Sequence, residues 1–122
     1  MMKQTILVIE DQEDNRRIFW DLLTSVGYDV IEAVNGIEGV SSAETQNPDL
    51  IIMDIQLPGI DGYEATRRIK ANPNLQKIPI IVVTSYALSG DDVKAFEAGC
   101  DAYVAKPFSP RELLAKIREY LP

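Results

Sequence analysis

Apolar residues fall along this chain in two rhythms, continuous short runs and spaced stripes, that alternate five times. Thr5–Glu10 (TILVIE) is an apolar run closed by a carboxylate, the pattern of a strand covered on both faces. Asp14–Val26 follows, with Ile18, Phe19, Leu22, Leu23 and Val26 forming a helical stripe that Gly27 closes. Asp29–Ala33 then predicts a strand, and Gly36–Thr45 a helix with Ile37 and Val40 on its apolar side. Leu50–Met53 predicts a third strand and Gly62–Ala71 a third helix. Asn47-Pro48 and Asn72-Pro73 stop the second and third helices, because the residue before a proline is pushed out of helical conformation. Ile80–Val83 predicts a fourth strand entered through Pro79, and Asp91–Ala98 a helix with Val93 and Phe96 facing in. Ala102–Val104 predicts a short fifth strand and Ser109–Leu121 the final helix. There Ser109 is the expected N-cap, Pro110 takes the first helical position, and Glu112 completes a capping box.

Strands that alternate with helices make βαβ units, so the expected fold class is α/β: a parallel sheet with right-handed crossovers covering both faces. In such sheets ligands bind beyond the carboxyl ends of the strands, where the strand order reverses. The residues just past each apolar run are therefore the informative ones. Strand one delivers Glu10 and Asp11, strand three Asp54, strand four Thr84 and Ser85, and strand five, a little later, Lys106. If strands one, three, four and five are neighbours, all of these meet on one rim. Three carboxylates crowded there repel one another strongly. A hard divalent cation relieves the repulsion: Mg²⁺ takes oxygen ligands and keeps waters, typically on one or two carboxylates plus a phosphate. The three carboxylates, one Mg²⁺ and the Lys106 ammonium sum to zero charge, which leaves room for a phosphoryl group.

Composition narrows the choice. The 122 residues suit one domain, 1–122, and 46% hydrophobic with 25% charged residues is globular rather than disordered. A net charge of −7 offers no basic stripe, so no direct nucleic-acid contact is expected. No apolar run approaches the roughly 18–20 residues that span a bilayer, and the polar start MMKQT is unlike a secretory signal, so no membrane role is expected. Cys100 is the one cysteine, which fits a reducing, cytoplasmic setting. With no histidine in the chain, a histidine base or a His-ligated metal is excluded. Trp20 reads as partly exposed packing and Cys100 as an ordinary small apolar residue.

The set Glu10-Asp11, Asp54 within MDIQLPGIDG, Thr84 and Lys106-Pro107 resembles that of the receiver domains of two-component response regulators, over Ile6 to Leu121. The stretch EDQEDN is similar to receivers of hybrid kinases and of single-domain regulators. The resemblance implies a flavodoxin-like, doubly wound five-stranded parallel sheet of order 2-1-3-4-5 with five helices. It implies that Asp54 takes a phosphoryl group from a sensor histidine kinase or a histidine phosphotransfer protein. Asp11, Asp54 and the backbone carbonyl of Gln56 would ligate Mg²⁺, with Glu10 acting mainly through water. Lys106, preceding a cis proline, would stabilise the transferring oxygens, and Thr84 would hydrogen-bond the bound phosphoryl group. Thr84 and Tyr103 would form a switch that changes the face made by helix four, strand five and helix five for a downstream protein partner. Such a module is not an enzyme toward other substrates; it promotes only its own phosphorylation and dephosphorylation. It is expected as a monomer or a phosphorylation-dependent dimer, with no effector domain after the last helix unless the chain is a fragment.

Two other classes fit less well. A hydrolase of the haloacid dehalogenase type needs a second Asp two residues after its aspartyl nucleophile, where this chain has Gln56, and puts the nucleophile on strand one. A flavodoxin-like FMN carrier wants Ser, Thr and Gly after strand one, whereas the acidic EDQEDN repels an unpaired phosphate. Ser85, Tyr86 and Gln56 stand where access to the phosphoryl group is set. Ser85 is small enough to keep it open, while the bulk of Tyr86 should shield an acyl phosphate from water. Phosphate loss from the phosphorylated chain is accordingly expected to be slower than from its Tyr86→Ala variant, followed by intact mass over time. Equal or slower loss from the variant refutes the shielding.

Overall fold

A computed structural model of the chain describes residues 3–85 and 90–122. The strands are β1 (Thr5–Ile9), β2 (Asp29–Ala33), β3 (Leu50–Met53), β4 (Ile80–Thr84) and β5 (Ala102–Ala105). The helices are α1 (Glu13–Ser25), α2 (Gly36–Gln46), α3 (Gly62–Ala71), α4 (Asp91–Ala98) and α5 (Pro110–Tyr120). All strand pairs are parallel and the sheet runs β2-β1-β3-β4-β5, the expected flavodoxin-like order. Registers such as Ile9 beside Met53 and Met53 beside Val82 align the carboxyl ends of the central strands.

The sheet is covered on both sides, which is why its strands carry no polar alternation. Successive side chains of a strand point to opposite faces. Leu7, Ile9, Ile51, Met53, Ile80 and Val82 accordingly join one core with Ala65 and Ile69 of α3 and Ala95 of α4. Ile6, Val8, Ile52, Ile81 and Val83 join the other with Phe19 and Leu23 of α1 and Leu113 and Ile117 of α5. Three helices start on a side-chain cap: Asn35, Asp61 and Ser109 accept from the backbone N–H of Glu38, Glu64 and Glu112.

Three helical faces differ from expectation. Val93 and Phe96 of α4 point outward, 53% and 50% exposed, while Asp91, Ala95 and Ala98 occupy the buried stripe. Ile37 of α2 is likewise exposed, while Gly36, against Ile60, Gly39, against Ile9, and Ala43 are buried. On α1, Phe19 and Leu23 are buried but Ile18 is exposed, as is Val26, which caps the helix just past its end. On α2 the reason is distance: a helix that lies close on the sheet leaves room beneath it for small side chains only, and the bulky residue turns to its flank. A Cβ built on Gly39 would sit 2.5 Å from the Ile9 side chain, which shows how little room α2 leaves. Cys100 is buried and Trp20 partly exposed, as expected.

The turn leaving β3 is built on one carbonyl. The Ile55 oxygen accepts from the Leu57 amide at 3.0 Å and from the Gly62 amide at 2.8 Å, drawing the start of α3 back against the strand end. Gly62 permits this approach: a Cβ there would run into the Asp54 carbonyl oxygen and lie 2.7 Å from the Ile55 Cα, both unyielding backbone atoms. Gly62→Ala is therefore expected to lower unfolding free energy by about 2–3 kcal/mol in urea titrations. A loss below about 0.5 kcal/mol, the usual range of neutral surface changes, would contradict that packing.

Candidate functional site

Adjacency of β1 and β3, followed by β4 and β5, brings the polar strand ends to one rim. Glu10 follows β1 and its amide still bonds the Ala33 carbonyl of β2, so it holds its place as an extension of the sheet. Asp54 follows β3 in the same way, its amide donating to the Ile9 carbonyl. The consequence is a tight acidic cluster: one carboxylate oxygen from each of Glu10, Asp11 and Asp54 lies within 4.8 Å of the other two. Glu10 is 1% exposed, Asp54 half-buried and Asp11 exposed. The donors are all hard oxygens at the spacing of a shared ligand sphere, and this set fits Mg²⁺.

The carboxylates do not all respond alike to the crowding. Burial works to raise the pKa of Glu10, but the Gln12 amide on Oε2 at 3.0 Å and the Lys106 Nζ on Oε1 at 3.1 Å outweigh it, and Glu10 titrates below the ordinary carboxylate range. Asp54 shows the opposite. Burial, and then the negative charge of Glu10, push it up to about 6, although Lys106 and the Ile55 amide, 2.8 Å from Oδ1, favour its ionised form. Asp11 is also raised, by burial and then by Glu10. Lys106 thus leans on Glu10, its ion pair spanning the length of the chain.

The remaining expected residues distribute as follows. Thr84 ends β4, one residue longer than expected, and is buried. Its carbonyl accepts from the Lys106 amide at 2.8 Å, which ties the Lys106 loop to the rim. The Lys106-Pro107 peptide is cis, as the resemblance implied. Ser85 and Gln56 are exposed at the mouth, and Tyr103 is half-buried on β5 against the core below α4. Tyr86 lies outside the described residues.

Two contacts at the site escaped sequence reasoning. Arg16 of α1 turns back, its Nη1 donating to the carbonyls of Glu10 and of Asp11, each at 2.9 Å. The Tyr63 hydroxyl of α3 meets Asp91 of α4 at 3.4 Å, and burial followed by the Asp91 charge raises the Tyr63 phenol to about 12. Neither contact left a mark in the local sequence pattern.

A carboxyl whose folded pKa lies above its unfolded value near 4 weakens the fold once it must ionise. For Asp54 the cost is absent below about pH 4, grows as pH rises towards 6, and is complete above 6. The undiscounted shift corresponds to about 3 kcal/mol, and partial exposure reduces this to about 1–2 kcal/mol. In metal-free buffer, Asp54→Asn is expected to be more stable than wild type by that amount at pH 7.5. The gap should close as pH falls to 4, and saturating Mg²⁺ should narrow it at pH 7.5. A gap independent of pH in chemical denaturation would refute the assignment.

The response regulator receiver domain family matches residues 6–118. The polar-differentiation response regulator DivK of Brucella anthropi is 40% identical over 120 residues, 98% of each chain. Among solved structures, the receiver domain of a sensor histidine kinase from Pseudomonas aeruginosa PAO1, with a magnesium ion coordinated in its active-site cleft, is 42% identical. It superposes with a TM-score of 0.92 over 98% of both chains. A putative response regulator from Chloroflexus aurantiacus is 32% identical, with a TM-score of 0.94 over 98% of both. Sheet order, rim and sequence agree: the chain belongs to the receiver-domain family of two-component response regulators.

Proposed function

We propose that this domain is a phosphoacceptor whose nucleophile is Asp54, charged by a phosphohistidine on a sensor histidine kinase or a histidine phosphotransfer protein. One observation carries the reading: three carboxylates from two strand ends share a 4.8 Å cluster while Lys106 holds its ammonium at the same rim. A structural cluster of this kind would cost stability with nothing in return. Side chains of Glu10 (through water), Asp11 and Asp54, with the Gln56 backbone carbonyl, would hold Mg²⁺. When bound, the ion supplies positive charge that lets the carboxylates stay ionised and offsets charge on phosphoryl oxygens. The magnesium in the cleft of the Pseudomonas receiver supports this part.

The residues of the chain then act in sequence. An Asp54 oxygen bonds to phosphorus as the donor's phosphorus–nitrogen bond breaks, and the bonding pair leaves on the imidazole. Positioning and electrostatics do most of the work in such transfers. Lys106 offers its ammonium to the transferring oxygens, and Thr84 its hydroxyl to the bound phosphoryl group. Ser85 and Gln56 flank the approach of donor and water. Movement of Thr84 toward the phosphate and of Tyr103 into the vacated space would bias a two-state face built from α4, β5 and α5. The outward pair Val93 and Phe96 supports that face as the contact for a downstream protein. We place this exchange in the cytoplasm, where the buried Cys100 thiol, pushed up to about 11 by burial and then by Asp101, stays inert.

Incubation with acetyl phosphate or phosphoramidate and Mg²⁺ tests the reading by intact mass. Wild type is expected to gain one phosphoryl group, and Asp54→Asn none. An unmodified wild type, or equal gain by the variant, overturns the assignment.

A further inference from the structure

Arg16 stands in an electrostatically odd place. Helix N-termini favour anions, and the first turn of α1 is indeed acidic, with Glu13 and Asp14. Yet Arg16, one turn in, folds its half-buried side chain back toward that end. Its backbone N–H bonds the Gln12 carbonyl at 3.0 Å, so the residue itself is fixed in the helix. Its Nη1 bridges the Glu10 and Asp11 carbonyls at 2.9 Å each. Neighbouring Arg17 is exposed and, among the described residues, makes no hydrogen bond to that turn.

We propose that Arg16 is a positioning residue for the acidic rim: by clamping the two carbonyls it sets the backbone of the Glu10–Asp11 turn, and so aims both carboxylates at the ion they share with Asp54. The inference rests on the Mg²⁺ reading above. Among the described residues, this turn is held by the Glu10 amide on Ala33, the Gln12 amide and Lys106 on the Glu10 carboxylate, the Arg16 amide on the Gln12 carbonyl, and the Arg16 guanidinium clamp. Of these, the Arg16 clamp is the one that grips Asp11. Asp11 is exposed, so packing does little to orient it. A clamp on its carbonyl substitutes for packing, as groups behind a metal ligand commonly do.

The role has an unusual sign. A cation beside a metal site repels the ion, so charge alone makes removal of Arg16 tighten Mg²⁺ binding. Positioning makes it weaken. Arg17 is the control, because its removal takes the same charge from the same helix without touching the turn.

Calorimetric titration of Mg²⁺ into wild type, Arg16→Met, Arg16→Lys and Arg17→Met separates the cases, with thermal unfolding run on each. Arg16→Met is expected to bind about 10-fold more weakly, and Arg17→Met as well as wild type or better. Arg16→Lys keeps the charge on a stem one bond shorter, and is expected to fall between wild type and Arg16→Met. Equal or tighter binding by Arg16→Met overturns the inference while leaving the Mg²⁺ site intact. Should Arg16→Met fail to fold, Arg16→Lys decides: affinity equal to wild type refutes the clamp. A wild type that does not bind Mg²⁺ refutes the functional reading and this inference with it.

Discussion

Mutual repulsion of carboxylates at the carboxyl edge of the sheet is the constraint around which the rest of the molecule is arranged. Glu10, Asp11 and Asp54 are brought within 4.8 Å of one another by strand pairing, not by any attraction of their own. The sheet tolerates the crowding because its strands are locked from both sides by apolar cores. Burial and the neighbouring Glu10 charge then divide the pair: Glu10, which has Lys106 and the Gln12 amide, stays ionised, and Asp54 does so reluctantly. A carboxylate that gains from added positive charge is ready for a cation. Shifts of opposite sign on adjacent groups are a recurrent mark of functional sites.

Each supporting feature serves this rim. The β1–β3 adjacency exists because the sheet order reverses there, and the same reversal opens the crevice in which ligands of such folds sit. Gly62 lets α3 press against the Asp54 backbone, so the strand end is buttressed from one side. The cis peptide and the Lys106 amide on Thr84 draw the last loop in from the other. Stacking of Phe19 on Phe108, with ring centres 5.7 Å apart, ties α1 to that loop just below. The carboxylate rim is thus held from both sides.

The far side of the molecule is organised differently. On α4 the small Ala95 and Ala98 take the buried stripe, and Val93 and Phe96 face solvent. The Tyr63–Asp91 contact joins α4 to α3, which itself begins at the Asp54 turn. Site and outward apolar face are therefore joined by a short run of packed elements.

Much of this was legible in the residues themselves. Continuous apolar runs mark buried parallel strands because both faces must be covered, and every predicted strand stands within a residue of its place. Ser109-Pro110 and Asp91–Ala98 likewise declared their helix boundaries through local chemistry. Polar residues stranded after those runs named Glu10, Asp11, Asp54, Thr84 and Lys106, because a charge at a core edge needs a reason. What local pattern could not carry was direction and distance. Whether Phe96 faces in or out depends on which face α4 lays on the sheet. Which carboxylate Lys106 bonds depends on contacts between residues far apart in the chain. The fold of Arg16 back onto two carbonyls is a matter of three-dimensional reach. Apolar periodicity reports which residues avoid water; only the assembled layers decide which partners the remaining ones find.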